Sequence, residues 1–256
     1  MSKLFDLTGK TAVIVGGSST LGLEMAVGLA EHGARIALLG RSKDKLDKAV
    51  TKMNDVTDEV KAFIADVIDE SSLKKVCDEI VAWADGFDII VNTAGKNSAT
   101  PFFDLETAEW DDIMDVNLKG VFLSSKVFAK RMVEMKRPGS IINISSVSST
   151  TPLSKVVTYS ASKAGVNNLT QFLAREFAPY QIRVNAIIPG FFPAVQNRKI
   201  LSEERINSIM EHTPMNRFGD PKELKGAVVY LASDKASSYV TGSLLRVDGG
   251  FGAMTI

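Results

Sequence analysis

Apolar residues recur along the chain with two different periods. Short runs rich in β-branched side chains fall at 11–15, 35–39, 60–65, 87–91, 140–144, 183–188 and 244–247, and each reads as a strand. Between them the spacing turns helical. Leu23, Ala26, Val27, Leu29 and Ala30 follow the first run, and Leu73, Val76, Ile80 and Val81 share one face of a helix over 70–84. Trp83, at the end of that helix, reads as packing. Further helices are predicted at 43–54, with Ser42 as N-cap, and at 107–116, 118–135, 159–177 and 221–232. Asn117 interrupts an otherwise apolar stretch between two of them, either as a kink or as part of a proton path. Strands alternating with helices demand a parallel sheet covered on both faces. The expectation is an α/β fold, a doubly wound sheet of about seven strands in a single domain over residues 1–256. Residues 191–215 are the least regular and are the natural place for a substrate lid.

Composition narrows the class. The 256 residues are 45% hydrophobic and 23% charged, enough for one sizeable core. Thirty acidic and thirty basic side chains leave no net charge, so neither nucleic acid nor an anionic membrane is an expected partner. Cys77 is the lone cysteine and there are two histidines, which excludes an intrachain disulfide and argues against a metal site. The apolar run 11–17 is far too short to span a bilayer, no secretory leader is recognisable, and a reducing cytoplasm is the expected compartment.

The polar residues that matter sit where the strands end. The first strand runs into Gly16-Gly17-Ser18-Ser19-Thr20-Leu21-Gly22, a glycine-rich turn before a helix, which lets backbone N–H groups approach a pyrophosphate. The second ends in Gly40 and Arg41. An acidic side chain there would hold the ribose of NAD; an arginine grips a 2′-phosphate instead, so NADP(H) is preferred, with NAD(H) as the alternative. Asp66 and Val67 close the third strand, and Asn92, Thr93, Ala94 and Gly95 the fourth, where small residues leave room for a cofactor. Ser146 follows the fifth strand and Pro189-Gly190 the sixth. Ligands in such sheets bind beyond these carboxyl ends. Thirteen residues after Ser146 comes Tyr159, and Lys163 lies four further on, on the same helix face. A phenol titrates at about 10, and a neighbouring ammonium lowers that value. Such a tyrosine exchanges a proton with a carbonyl or an alcohol while Ser146 holds the oxygen.

Taken together, Gly16 to Gly22, Asp66-Val67, Asn92 to Gly95, Asn117, Ser146, Tyr159 with Lys163, Pro189-Gly190 and the run Val247 to Gly250 resemble the short-chain dehydrogenase/reductase family over essentially the whole chain. The resemblance implies a Rossmann-like fold, a nicotinamide cofactor, a homotetramer and four catalytic residues. Tyr159 would be the acid/base, Ser146 would orient the carbonyl, Lys163 would hold the nicotinamide ribose, and Asn117 would hold a water in the proton relay. Helices 118–135 and 159–177 would supply the subunit interface. Three positions depart from the family pattern. In T-G-x-x-x-G-x-G, Val15 replaces the threonine and Thr20 the middle glycine, and Ala194 replaces a threonine usual after Pro-Gly.

Within the family, residues 151–155, 189–192, 196–198, 212–215, 217–219 and 248–251 are similar to a sugar-acid branch of the fructuronate reductase (D-mannonate oxidoreductase) type. The expected substrate is then a small keto-sugar acid or related polyhydroxy carbonyl compound. Ser148, Lys155, Phe191, Asn197 and Arg198 are its candidate contacts, with Lys155 or Arg198 clamping a carboxylate. A 3-oxoacyl-thioester reductase and a gluconate 5-dehydrogenase are the rival activities. A nucleotide-binding regulator without catalysis is the rival from another class, and the intact catalytic four argue against it.

Overall fold

The sheet is built outward from β1 (Thr11–Val15), whose five side chains are all buried. They sort by parity, as a strand's period of two requires. Val13 and Val15 join one apolar cluster, Ala12 and Ile14 the other. The computed structural model describes residues 3–192 and 202–254. Within them, β2 (Arg35–Gly40), β3 (Val60–Ile64), β4 (Ile89–Asn92), β5 (Gly139–Ile144), β6 (Ile182–Pro189) and β7 (Leu244–Val247) complete a seven-stranded sheet. Its order is β3-β2-β1-β4-β5-β6-β7, and every neighbouring pair is parallel. The chain winds outward from β1 to β3, then returns to the other side of β1 and winds outward to β7. The reversal lies between β1 and β4, where Val15 is in register with Asn92. Loops leaving those two strands part in opposite directions and open a crevice at the carboxyl ends.

Helices α1 (Thr20–Glu31), α2 (Lys43–Met53) and α8 (Lys225–Ala232) cover one face, where Met25, Leu29, Leu46, Val228 and Leu231 pack on Ile14 and Leu38. The other face carries α3 (Glu70–Ala84), α5 (Gly120–Glu134) and α6 (Val157–Phe177), with Leu73, Ile80, Phe128 and Leu173 against Val13 and Ile141. Phe87 and Phe128 meet edge to face at 5.3 Å. Trp83 packs as the sequence suggests, 5.8 Å from the Phe63 ring and under the Arg35 guanidinium. The helix starts are set by side chains that accept from orphan backbone N–H groups: Ser19 from Gly22, Ser42 from Lys45, Asp69 from Ser71 and Ser72.

One expectation is corrected. Two helices were anticipated with a break at Asn117. Instead α4 (Thr107–Met114) continues into α5 through a π turn at Asp115–Lys119, in which the Gly120 N–H reaches back to the Asp115 carbonyl. One extra residue is accommodated without ending the helix, a device that recurs at functional sites. The predicted helix at 221–232 likewise begins as a 3-10 turn, Pro221–Leu224. In the irregular region, α7 (Glu203–Glu211) is a regular helix capped by Ser202. Among the described residues no helix is long and apolar enough to cross a membrane.

Candidate active site

The glycine-rich turn lies against the end of β4. Gly16 has φ +89°, and a Cβ there would sit 2.6 Å from the Ala94 nitrogen and 2.7 Å from Thr93 Oγ1. Gly22 is equally confined, by the Gly16 carbonyl at 2.6 Å and Thr93 Oγ1 at 2.7 Å. Only backbone fits; the N–H groups of Gly16, Gly17, Ser19 and Gly22 are bonded within the turn and to β1 and β2, which leaves those of Ser18, Thr20 and Leu21 at the positive end of the helix dipole. Thr20 occupies the first position of α1 and its side chain is exposed, outside that confined contact. Ser18 Oγ lies 3.5 Å from the place of a Gly40 Cβ, which brings Ser18 close to the end of β2. Arg41 is exposed there and makes no hydrogen bond or ion pair among the described residues. Asp66 turns one carboxylate oxygen to the Ile68 N–H at 3.2 Å, and Val67 is buried against Gly120.

A cleft of about 1040 Å³ continues from this turn across the ends of β4, β5 and β6. Leu21, Gly95, Ser146, Lys155, Tyr159, Lys163, Pro189, Gly190 and Phe191 all line it. The expected trio therefore converges. Ser146 Oγ accepts from both the N–H of Ser148, at 3.2 Å, and its hydroxyl, at 3.1 Å. With both lone pairs engaged, the Ser146 proton is left to point at an oxygen in the cleft. That oxygen is the Tyr159 phenol, which lines the same cleft and whose charged form Ser146 favours. Lys163 is buried at 4% exposure; its Nζ donates to the Ile144 carbonyl at 2.7 Å and lies 5.7 Å from the centre of the Tyr159 ring.

The electrostatics correct the simple reading of this pair. Burial pushes the Tyr159 phenol above its ordinary value, with the Ser146 hydrogen bond acting the other way. The ammonium meant to lower it is itself penalised, because burial takes Lys163 down to about 8. Lys163 faces the ring and a neutral carbonyl, and no carboxylate among the described residues pairs with it. Desolvation is the larger influence on the phenol, and it favours the protonated, donor form.

Asn117 and Asn92 serve the site from behind. The Asn117 amide clamps the backbone of Lys96, accepting from its N–H at 2.8 Å and donating to its carbonyl at 2.9 Å, and it also donates to Ser162 at 3.1 Å. Ser162 in turn donates to the Tyr159 carbonyl at 2.7 Å. The π turn is thus tied to the loop after β4 and to the first turns of α6. The Asn92 side chain faces the core. It donates to Asn143 at 2.9 Å and accepts from Ser124 at 2.7 Å, while Asn143 donates to Thr170. These paired amides fasten β4, β5, α5 and α6 together. From Asn92 only backbone reaches the crevice.

Of the expected substrate contacts, Ser148 touches Ser146 rather than the open cleft, Phe191 packs edge-on against Phe251 at 5.2 Å, and Lys155 is exposed with φ 65°. Asn197, Arg198 and Ala194 lie outside the described residues. Sequence reasoning passed over Arg205, on α7, which lines the cleft and donates to Ser154 at 2.8 Å. The usable signal was its spacing. Ile209 is buried, and a residue four positions earlier shares that inner face.

A family model described as enoyl-(acyl carrier protein) reductase matches residues 15–252. The oxidoreductase UxuB of Bacillus subtilis is 38% identical, the match covering 96% of either chain. The 5-keto-D-gluconate 5-reductase of Escherichia coli is 35% identical over 98% of either chain. The chain is a short-chain dehydrogenase/reductase. A solved relative, the gluconate 5-dehydrogenase of Burkholderia cenocepacia in complex with NADP and tartrate, superposes with a TM-score of 0.92 at 34% identity, covering 98% of both chains.

The buried lysine of this family member has a measurable consequence. Its fall from 10.5 to about 8 corresponds to roughly 3 kcal/mol against the charged form. A depressed lysine costs most below the folded value, and the cost fades as pH rises to the unfolded one, because there the unfolded chain holds more protons. Wild type is therefore expected to gain stability relative to Lys163→Met between about pH 8 and about pH 10.5. Denaturant unfolding of both proteins without nucleotide checks the sign; a gap that stays constant across the window removes the buried ammonium from the account.

Proposed function

We propose that the protein is an NADP(H)-dependent oxidoreductase that interconverts the ketone and alcohol of a small sugar acid of the fructuronate/mannonate type. The observation that carries the reaction is the convergence of Ser146, Tyr159 and Lys163 on one cleft, with the Lys163 ammonium against the Tyr159 ring, continuous with a backbone-lined turn. The residues present fit a dinucleotide. The N–H groups of Ser18, Thr20 and Leu21 would hold its pyrophosphate, with Gly16, Ser19 and Gly22 alongside. Arg41 would hold the 2′-phosphate, and Asp66, Val67, Asn92, Ala94, Gly95, Pro189 and Gly190 would form the walls. A bound nicotinamide supplies or takes up the hydride.

What the chain supplies is a proton and a position. Ser146, fixed by its two bonds from Ser148, donates to the carbonyl oxygen; Tyr159 gives that oxygen a proton as negative charge develops on it. Lys163, in the deprotonating range near neutrality, stands under the ring and would return a proton through the nucleotide ribose side of the cleft. Asn117 is proposed as a positioning residue, holding the Lys96 backbone and, through Ser162, the start of α6. The assembly is proposed to be a homotetramer, in keeping with Phe122 on α5 and Phe172 on α6, which stand exposed. The cytoplasm is proposed as its compartment. Substrate class rests on the sugar-acid activities that the similar proteins are named for.

The test is nucleotide absorbance with D-fructuronate, 5-keto-D-gluconate and an acetoacetyl thioester, each with NADPH and with NADH. Turnover of a sugar acid with NADPH is expected; turnover of the thioester alone overturns the substrate class. Arg41→Ala is expected to weaken NADPH about 10-fold to 100-fold and leave NADH unchanged, since a charge-assisted bond to phosphate is what it removes. Fluorescence titration of both nucleotides measures this, and an equal loss for the two would take Arg41 away from the 2′-phosphate.

A further inference from the structure

Among the described residues four cations line the main cleft: Lys96, Lys155, Lys163 and Arg205. Two are already committed. Lys163 is bound to the Ile144 carbonyl beneath Tyr159, and Lys96 is ion-paired with Asp112. Arg205 differs. Its guanidinium makes one hydrogen bond, to the neutral hydroxyl of Ser154 at 2.8 Å, and no carboxylate pairs with it among the described residues. Several other arginines meet carboxylates, as Arg217 does Glu223 through two bonds of 2.7 and 2.6 Å. Glu204, next to Arg205 in sequence, lines the same cleft and is exposed without bonding to it.

A guanidinium has five N–H donors in a planar fork. One is used here, which leaves a pair free for the two oxygens of a carboxylate. Its partner loop is poised in the same way. Lys155 follows Ser154 directly, holds a positive φ of 65°, is exposed, and makes no hydrogen bond or ion pair among the described residues. A positive φ costs a non-glycine residue energy, and such conformations cluster where ligands bind. Both residues stand on the stretch leading into α6, which carries Tyr159 four positions after Lys155. The Arg205–Ser154 bond therefore joins α7 to the segment that enters the catalytic helix.

We propose that Arg205 is the carboxylate-binding, specificity-determining residue of this cleft, with Lys155 contributing a second positive charge to the same anion. The carboxylate takes the free edge of the guanidinium, and the ketone at the other end of the substrate reaches Ser146 and Tyr159. This rests on the sugar-acid reading for the identity of the substrate but not for the existence of the anion site. It assigns the clamp to Arg205, where the sequence pointed to Arg198.

The test compares each acid with the neutral ketose in which a hydroxymethyl group replaces the carboxylate, D-fructuronate against D-fructose. It uses wild type, Arg205→Met and Arg205→Lys. The inference expects Arg205→Met to raise the KM for the acid about 10-fold to 100-fold with kcat little changed, to leave the ketose unaffected, and to be partly rescued in Arg205→Lys. Equal losses for acid and ketose would make Arg205 a structural residue and overturn the inference; so would no loss. Calorimetric binding of tartrate gives a readout free of turnover. Tartrate binding that is present in wild type and lost in Arg205→Met, with no sugar acid turned over, keeps the anion site and rejects the sugar-acid function. Tartrate binding that is absent from wild type, or equal in the two proteins, rejects the anion site.

Discussion

Tyr159→Phe is expected to cut turnover between about a hundredfold and ten-thousandfold while nucleotide affinity stays as in wild type. The change removes one oxygen. It deletes the proton that the carbonyl oxygen needs and the hydroxyl beside Ser146, and it leaves the ring that covers Lys163. Burial favours the protonated phenol, the form that the reduction step uses. Single-turnover nucleotide absorbance separates the chemical step from binding. Loss of turnover with NADPH still bound supports the assignment, and undiminished turnover removes Tyr159 from the mechanism. Because Ser146 keeps its two bonds from Ser148, any residual rate reports what a positioned hydroxyl does alone.

Gly16→Ala is expected to be the most damaging single-atom addition to nucleotide binding. The added Cβ meets the Ala94 nitrogen at 2.6 Å and Thr93 Oγ1 at 2.7 Å, both at a strand end that cannot retreat without disturbing β4. It also forces a φ of +89° on a residue with a side chain. Gly9 separates the two effects: its φ is +79°, and nothing lies within 4 Å of where its Cβ would be. Gly9→Ala should cost only backbone strain, about 1–2 kcal/mol, with nucleotide affinity unchanged. Gly16→Ala should lose at least that much stability and most of its affinity for NADPH. Thermal unfolding and fluorescence titration of the two variants measure both quantities. Equal nucleotide affinity in the two would mean that this turn is not the cradle.

What the sequence could deliver depended on whether a property was local. Strands, glycine turn and the Tyr159–Lys163 spacing are periodic or adjacent features, and each was legible. The π turn was not, because inserting one residue at Asn117 leaves the apolar spacing on either side intact and resembles a break between two helices. The direction of the Asn92 side chain was hidden for a different reason. It depends on Asn143, Ser124 and Ser125, three other polar interruptions in apolar elements that only the fold brings together. The tyrosine's protonation followed the same logic. Sequence spacing names Lys163 as a neighbour, but how much water both groups lose is set by the sheet edge and α6. Arg205 was not singled out because an irregular stretch offers no period by which to orient side chains. Only the buried Ile209 on α7 orients Arg205.

The claim that unites these observations is that hydride passes between a nicotinamide and the ketone of a sugar acid seated on Ser146 and Tyr159. The most direct measurement uses NADPH deuterated at the transferable position of its ring, with D-fructuronate as acceptor and mass analysis of the product. The account predicts a hydroxy acid carrying one deuterium on the carbinol carbon, formed by wild type and at least about a hundredfold more slowly by Tyr159→Phe. An undeuterated product, or deuterium delivered only to the acetoacetyl thioester, would contradict it.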